Sequence, residues 1–466
     1  MRISPRFLQC ALACWALCSA FAAQAVSVIP GVSGFGLDTP AGRGGTVYRV
    51  TRLQDSGAGS LRACVDAEGP RVCVFEVSGT IRLSDELIIR NDYLTIAGQT
   101  APSPGILLRG AGLRILASNV LVQHIRVRAG DDAAGPAFIN RDSLKVEGNV
   151  ENPVQNVVID HCSFAWSTDE VASAWQHWDN VTFVNNIFAE PLHYSLHPEA
   201  GTPSNGDGHG YGVLFGPHDG RAALIGNLMA HEAARNPMSY ASRVVVVNNV
   251  VYNRGNADIE LLSEGGMRTF TSIVGNVFIR GPSYRLGHKP ILVFARGEYA
   301  LPTGSRLYVR DNVATDAGSD PWSLVELDGT QLTRAELEAS SAPAWPTGLV
   351  AMRTANRAVL DHVLAKAGAR PMDRDSTDER IVASVRDHSG QIINCVDADG
   401  SSRCRKNAGG WPALAVRTRP LRLPANQRAL TSSGYTNLEI WLHSLSADLQ
   451  GDVATSPRPP SDIRVR

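Results

Sequence analysis

The chain has 466 residues, of which 44% are hydrophobic and 19% charged, with a formal net charge of −1. That balance excludes a disordered chain and supplies enough apolar material for a large core. Near neutrality, with no basic patch interleaved with aromatics, argues against nucleic acid as the main partner.

Residues 1–25 read as a secretory signal. Arg2 and Arg6 give a basic start, an apolar run extends from Phe7 to about Ala22, and Ala23–Gln24–Ala25 has the form of a cleavage site. No other long apolar run follows, so the sequence predicts an exported protein, extracellular or periplasmic, with no membrane partner. Of eight cysteines, Cys10, Cys14 and Cys18 fall in the signal. Cys64 and Cys73 flank one short loop and Cys395 and Cys404 another, which predicts two local disulfides in an oxidising compartment. Cys162 is left over and reads as a buried thiol.

From Gly31 to Val65 the chain is glycine-rich. Gly42, Gly44 and Gly45 complete neither a P-loop nor a dinucleotide fingerprint, so turns are the better reading. Val47–Thr51 alternates like a strand, and Ser60–Asp66 reads as a short capping helix. From Arg71 onward short β-branched runs alternate with glycine and asparagine, and helical periodicity is nearly absent until the late three hundreds.

A repeat runs through this region. NVLVQHIRV, NVVIDHCSF, NVTFVNNIF, AALIGNLMA, VVVVNNVVY, FTSIVGNVF and RLYVRDNVA each read as a strand, a polar bend and a second short strand. The bend positions are taken as His124, His161, Asn186, Asn227, Asn249, Asn276 and Asn312, and the shortest intervals between them are 22, 25 and 27 residues. A period in the low twenties is one coil of a solenoid in which each coil covers its neighbour's apolar face. Asparagines at the bend can stack into a hydrogen-bonded ladder. The expected fold is all-β, a parallel β-helix over residues 26–316, with residues 317–466 as an extension that packs on or caps it without a core of its own.

Function is expected in the insertions, since coils pack and loops escape packing. The largest, from Glu190 to Gly212, carries His193, His197 and His209. It lacks the HExxH zinc spacing and reads as a polar lip on a groove. Thr354–Pro371, the segment DERIVASVRDHSGQII and Gly434–Leu445 are predicted helical, and the closing SPRPPSDIRVR loose.

The centre of the pattern is VVIDHCSFAWSTDE, Val157 to Glu170, in which the run Val157–Ile159 reads as a buried strand ending in Asp160–His161 and the acidic pair Asp169–Glu170 follows eight residues later. Two acidic clusters flanking one strand can hold a hard cation or position a sugar, or can simply be solvated loop carboxylates.

With GFG…GRGG…DSGAGSLR, FEVSGTI, LTIAGQTAP, VVIDHCSFAWSTDE, HGYG, RNP, DERIV and GYTNLEIWL, the chain resembles polysaccharide lyase family 1 of the pectate lyase superfamily, in its secreted bacterial and fungal branch. The resemblance implies a right-handed parallel β-helix with a small helical C-terminal wrap. It also implies calcium-assisted β-elimination on polygalacturonate, an acidic plant cell-wall polysaccharide (pectin), to 4,5-unsaturated oligogalacturonides, by a monomer. Asp142 and Asp169 match the calcium carboxylates and Glu170 stands beside them. Ser173 occupies a position where many members have a further carboxylate, so the resemblance is consistent with Ca²⁺ arriving together with substrate.

Arg235 in ARNP matches the arginine used as base, or pins a loop to a carboxylate. The downstream substrate-binding arginine does not transfer cleanly, and Arg243 is its nearest candidate. The groove lysine has no direct counterpart, and His209 is the nearest polar residue. Asp160 and His161 match a motif read as structural support for the groove floor. Two other functions stay open: a non-catalytic β-helix that binds acidic polysaccharide, and a galacturonan hydrolase, which needs clustered aspartates on adjacent coils.

Overall fold

The computed structural model describes residues 26–202, 207–285, 287–315, 317–354 and 357–452. The predicted signal and the closing SPRPPSDIRVR lie outside the described residues.

Short β-branched strands cannot bury both faces alone, so they stack. Three sheets result, of ten, nine and ten strands among the described residues, parallel throughout except for Arg417–Thr418, which joins the end of the third sheet antiparallel to Val77–Arg82. A representative coil runs through Val154–Asp160 in the first sheet, Ser163–Ala165 in the third and Glu170–Trp175 in the second. Each strand pairs in register with its counterpart one coil on, as Val157 does with Val181 and Phe164 with Phe188. The interior is a single apolar stack that includes Val157, Ile159, Phe164, Val171, Phe183, Phe188 and Phe215. Each such fully buried side chain contributes roughly 1.5–3 kcal/mol. The expected β-helix is therefore the observed fold. Its second sheet gains a last strand at Val325–Asp328, beyond the boundary at 316.

The asparagine ladder is present. Asn186, Asn227, Asn249 and Asn276 each pass a side-chain N–H to the next amide oxygen, ending on Asn312, at 2.9–3.0 Å. His124 and His161 are not part of it, which corrects the expected alignment by one residue. Asp160 pairs with Val184, and it is the N–H of Cys162 that reaches the Asn186 oxygen, at 2.8 Å. The reason is backbone handedness. In the histidine coils the left-handed bend residue is the histidine itself, φ 56° and 47°, whereas in the next coil it is Asn185, one residue before the ladder. A second ladder, unforeseen, joins Asn119, Asn156 and Asn180 at the bend entering the first sheet.

Beneath the start of the β-helix, the helix Leu61–Val65 caps the apolar stack with Leu61, Cys64 and Val65. Both expected disulfides are present, Cys64–Cys73 and Cys395–Cys404, and Cys162 is a buried free thiol. The C-terminal segments lie on the outside of the coils. Val359, Val363, Ile381 and Val385, from helices Ala358–Lys366 and Ser376–Asp387, pack on Ile187, Leu228 and Val250 of the third sheet. Leu438 and Leu442 of the helix Asn437–Gln450 cover Val72 and Val74 of the first sheet. Among the described residues, these three helices pack on the third and first sheets and not on the second. Among the described residues, no helix is long and apolar enough to cross a membrane.

The motif DERIV has a physical role here. Arg128 reaches Asp375 at 2.7 and 2.9 Å and Asp378 at 2.8 Å, and Ser163 donates to Asp378 at 2.7 Å. Arg380 holds the buried Glu190, at 2.9 Å for its longer bond. These pairs fasten the helix Ser376–Asp387 to the third sheet. Unpaired, the buried charges Arg128, Asp375, Asp378 and Glu190 would each cost several kcal/mol.

Candidate active site

The connections that lead from the third sheet into the second carry the chemistry. Asp142 ends one such connection, Asp169 ends the next, and Glu170 opens the strand Glu170–Trp175. Arg235 lies two coils further on, before the short strand Met238–Ser239.

Local contacts fix each residue. The Arg141 side chain donates to the carbonyls of Gly130 and Asp132 and stacks on Phe138, which gathers the loop ahead of Asp142. Thr168 ties its hydroxyl to the Phe138 carbonyl at 2.7 Å, joining that loop to the STDE segment. Close approach requires glycine at 112, since a Cβ there would stand 2.1 Å from the Asp142 carbonyl oxygen. Gly212 does the same for the next loop, where a Cβ would meet the Arg235 carbonyl at 2.5 Å. Arg235 itself sits at φ 65°, a strained conformation for a non-glycine residue.

Asp142, Asp169 and Glu170 each offer a carboxylate oxygen, all within 4.8 Å of one another, and all three side chains are buried. The charges repel and are poorly solvated. Burial pushes the Asp142 carboxyl well above its ordinary value, with Glu170 and Asp169 adding to the rise. Burial, then the Glu170 charge, lifts Asp169 to about 8. Glu170 goes the other way: burial would raise it, but the Arg235 guanidinium outweighs that and holds it low. Asp142 Oδ1 is buried with no hydrogen-bond partner. A buried carboxylate oxygen left unpartnered among like charges fits an oxygen-seeking cation.

Arg235 Nη1 donates to Glu170 Oε1, its backbone N–H goes to Glu260 at 2.9 Å, and its guanidinium carbon lies 4.1 Å above the Tyr211 ring. Burial lowers its proton affinity, but Glu170 more than restores it. In this arrangement Arg235 is firmly charged.

The histidine insertion folds over the cluster. His209 Nε2 meets Asp169 Oδ1 at 2.9 Å, and its ring stacks on His197 with centroids 3.8 Å apart. His209 is thus committed to a carboxylate of the cluster. His193 turns away and caps the Gly210 N–H at 3.2 Å.

Two expectations need correction. Arg243 belongs to the strand Arg243–Val247 of the first sheet and pairs with Asp219 at 2.6 Å, so the chain has left the second sheet before reaching it. Asp160 and His161 support the fold, as expected, but not the groove floor. They sit at the bend between the first and third sheets, 2.6 Å apart, with the Asp160 carboxylate also taking the Gln123 amide at 2.7 Å. The His161 ring stacks on His124, whose two nitrogens meet Ala369 O and Ser446 Oγ, each at 2.7 Å. Through His124, this bend is tied to the C-terminal extension.

Three residues escaped the sequence reading. Tyr211 underlies Arg235, Glu260 holds its backbone, and Lys145 pairs in register with Ser173 on the second sheet. Lys145 carried a signal, a lone lysine three residues after Asp142 in a chain where lysine is scarce; Tyr211 and Glu260 carried none apart from the fold.

A parallel β-helix with a buried acid cluster and a neighbouring arginine at its second sheet defines the class of β-helical polysaccharide-cleaving enzymes. Probable pectate lyase C of Aspergillus fumigatus is 31% identical over 446 residues, covering 91% of this chain and 95% of its own length. Probable pectate lyase C of Aspergillus flavus is 30% identical, covering 96% and 99%. The crystal structure of Jun a 1, the major allergen of cedar pollen, superimposes with a TM-score of 0.50 at 16% identity, over 72% of this chain and 92% of that one, a likeness in fold. No family model matches the chain. The chain belongs to the pectate lyase family of polysaccharide lyases.

Proposed function

We propose that this pectate lyase cleaves polygalacturonate by β-elimination, with Asp142, Asp169 and Glu170 holding calcium and Arg235 acting as base. The observation that carries the reading is the unpartnered Asp142 oxygen within 4.8 Å of two further carboxylates, with Arg235 bonded to the third. The proton to be removed lies α to a uronate carboxylate and is weakly acidic. Calcium, when bound, supplies a hard Lewis acid that stabilises the developing enolate charge.

The residues divide the remaining work. Asp142 and Asp169, both raised by burial and by the Glu170 charge, must release their protons to serve as ligands. Glu170 would help hold the cation, and a Glu170 carboxylate engaged there would add less to the raised proton affinity of Arg235, the change a base at this position requires. Tyr211 keeps the guanidinium in place from below. The three carboxylates stand closer together than the roughly 6.5–9.5 Å that an inverting hydrolase needs for its water.

Export of the mature chain is part of the same reading, supported by the basic-apolar N-terminus and two disulfides, and a monomer is carried over from the family resemblance alone. The test is ultraviolet absorbance of unsaturated product from polygalacturonate, with calcium and with chelator. Wild type should give a calcium-dependent rise, and Arg235→Ala should reduce it by about 10³-fold with folding intact. Reducing sugar without absorbance would make the protein a hydrolase, and binding with neither signal a non-catalytic module.

A further inference from the structure

The outward-facing row of the second sheet, read coil by coil, is Arg114, Lys145, Ser173, Leu214, Met238 and Glu260. Lys145 and Ser173 are therefore direct neighbours across two coils, and Asp142 lies three residues before Lys145 on the same chain. Arg114 is already engaged by Glu147 at 2.9 Å and Glu86 at 3.3 Å. Lys145 is different. It is half-buried, and four carboxylates act on its ammonium: Asp142, Glu147, Asp169 and Glu170. Among the described residues none of these forms a hydrogen bond or close ion pair with it.

An ammonium held in the field of an acid cluster, but not bonded to it, acts through charge alone. It lowers the electrostatic cost of three crowded carboxylates and repels a second cation. We propose that Lys145 is a resident counter-cation that weakens calcium affinity in the free pocket, so that metal binding depends on the carboxylate an acidic sugar delivers. This rests on the calcium reading above. It also gives Ser173 a reason: a carboxylate at that position, beside Lys145, would close a lasting ion pair, whereas serine leaves the ammonium open to a ligand. The other charge beside Lys145 on a packed strand is Arg114, which pairs with Glu147.

Calorimetric calcium titration of the mature chain without sugar tests this, at alkaline pH so that protons do not compete. Lys145→Met and Lys145→Gln should bind calcium about tenfold more tightly than wild type, and Lys145→Arg should match wild type. Adding trigalacturonate should tighten calcium binding strongly in wild type and less in Lys145→Met. Unchanged or weaker affinity in both neutral variants, or an equal gain from the sugar, overturns the proposal. Should one neutral variant fail to fold by its melting curve, the other decides. None of these titrations requires turnover. Absence of lyase activity in wild type would sink the catalytic reading and leave the titration to judge Lys145 separately. No calcium binding by any variant, with or without sugar, would sink both.

Discussion

Two clusters of buried carboxylates, one facing the third sheet and one at the entry to the second, are treated in opposite ways. On the helix Ser376–Asp387 and its N-cap, Asp378 and Asp375 face Arg126 and Arg128, and the Arg128 contacts are 2.7–2.9 Å. Burial alone would raise Asp375, but the two arginines hold it far below the ordinary carboxylate range. At the second sheet, Asp142, Asp169 and Glu170 share one bonded arginine and an unbonded lysine, and two of the three are raised. The first cluster is complete within the chain and holds an element down. The second is short of positive charge, which is how a chain keeps a place for a cation it must acquire.

If that contrast is sound, Asp375→Asn should destabilise the protein by about 3 kcal/mol in chemical denaturation, because it leaves Arg128 and Arg126 buried and undercompensated. Calcium binding by the same variant should not change. A loss of calcium affinity there would merge the two clusters and end the distinction.

Asp142→Asn should behave in reverse. Removing one carboxyl from the crowded cluster leaves stability unchanged or improved, while calcium affinity falls about 100-fold by calorimetry. A large loss of stability with affinity intact would make the second cluster structural as well.

The pH responses should have opposite signs. Asp169 is raised to about 8, so between its unfolded value near 4 and about 8 the folded chain holds a proton that the unfolded chain has released. In the absence of calcium that part of stability falls as pH rises, and Asp169→Asn should remove the alkaline loss from melting curves. Calcium affinity should correspondingly improve with pH, up to about tenfold per unit, and level off above about 8. Asp375, being lowered, contributes stability that is present above its unfolded value and lost as pH falls toward its folded one. Calcium affinity that is flat from pH 6 to 8 would mean that Asp169 is not a ligand.

The sequence made the solenoid legible because coil packing repeats: β-branched runs, bends and asparagines return at one period, and the fold answers with sheets in register. It mislaid the register by one residue at His161, since a polar letter at a bend does not reveal which residue takes the left-handed conformation. Asp142 and Asp169 were legible through the family resemblance, and the structure brings them together with Glu170 and next to Arg235. Arg243 was misplaced because linear proximity to Arg235 hides a change of sheet at residues 240–242. His209, expected on the substrate, is held by Asp169.

By itself, then, the sequence determined the period, the β-helix and the two disulfides, because these are local patterns repeated or closed over short spans. Tertiary structure alone decided which carboxylates are neutralised and which are left wanting. That depends on Arg128 meeting Asp375 across 247 residues while Asp142 meets Asp169 and Glu170 with no arginine of its own. Charge compensation is a property of distances in space, and no spacing along the chain encodes it.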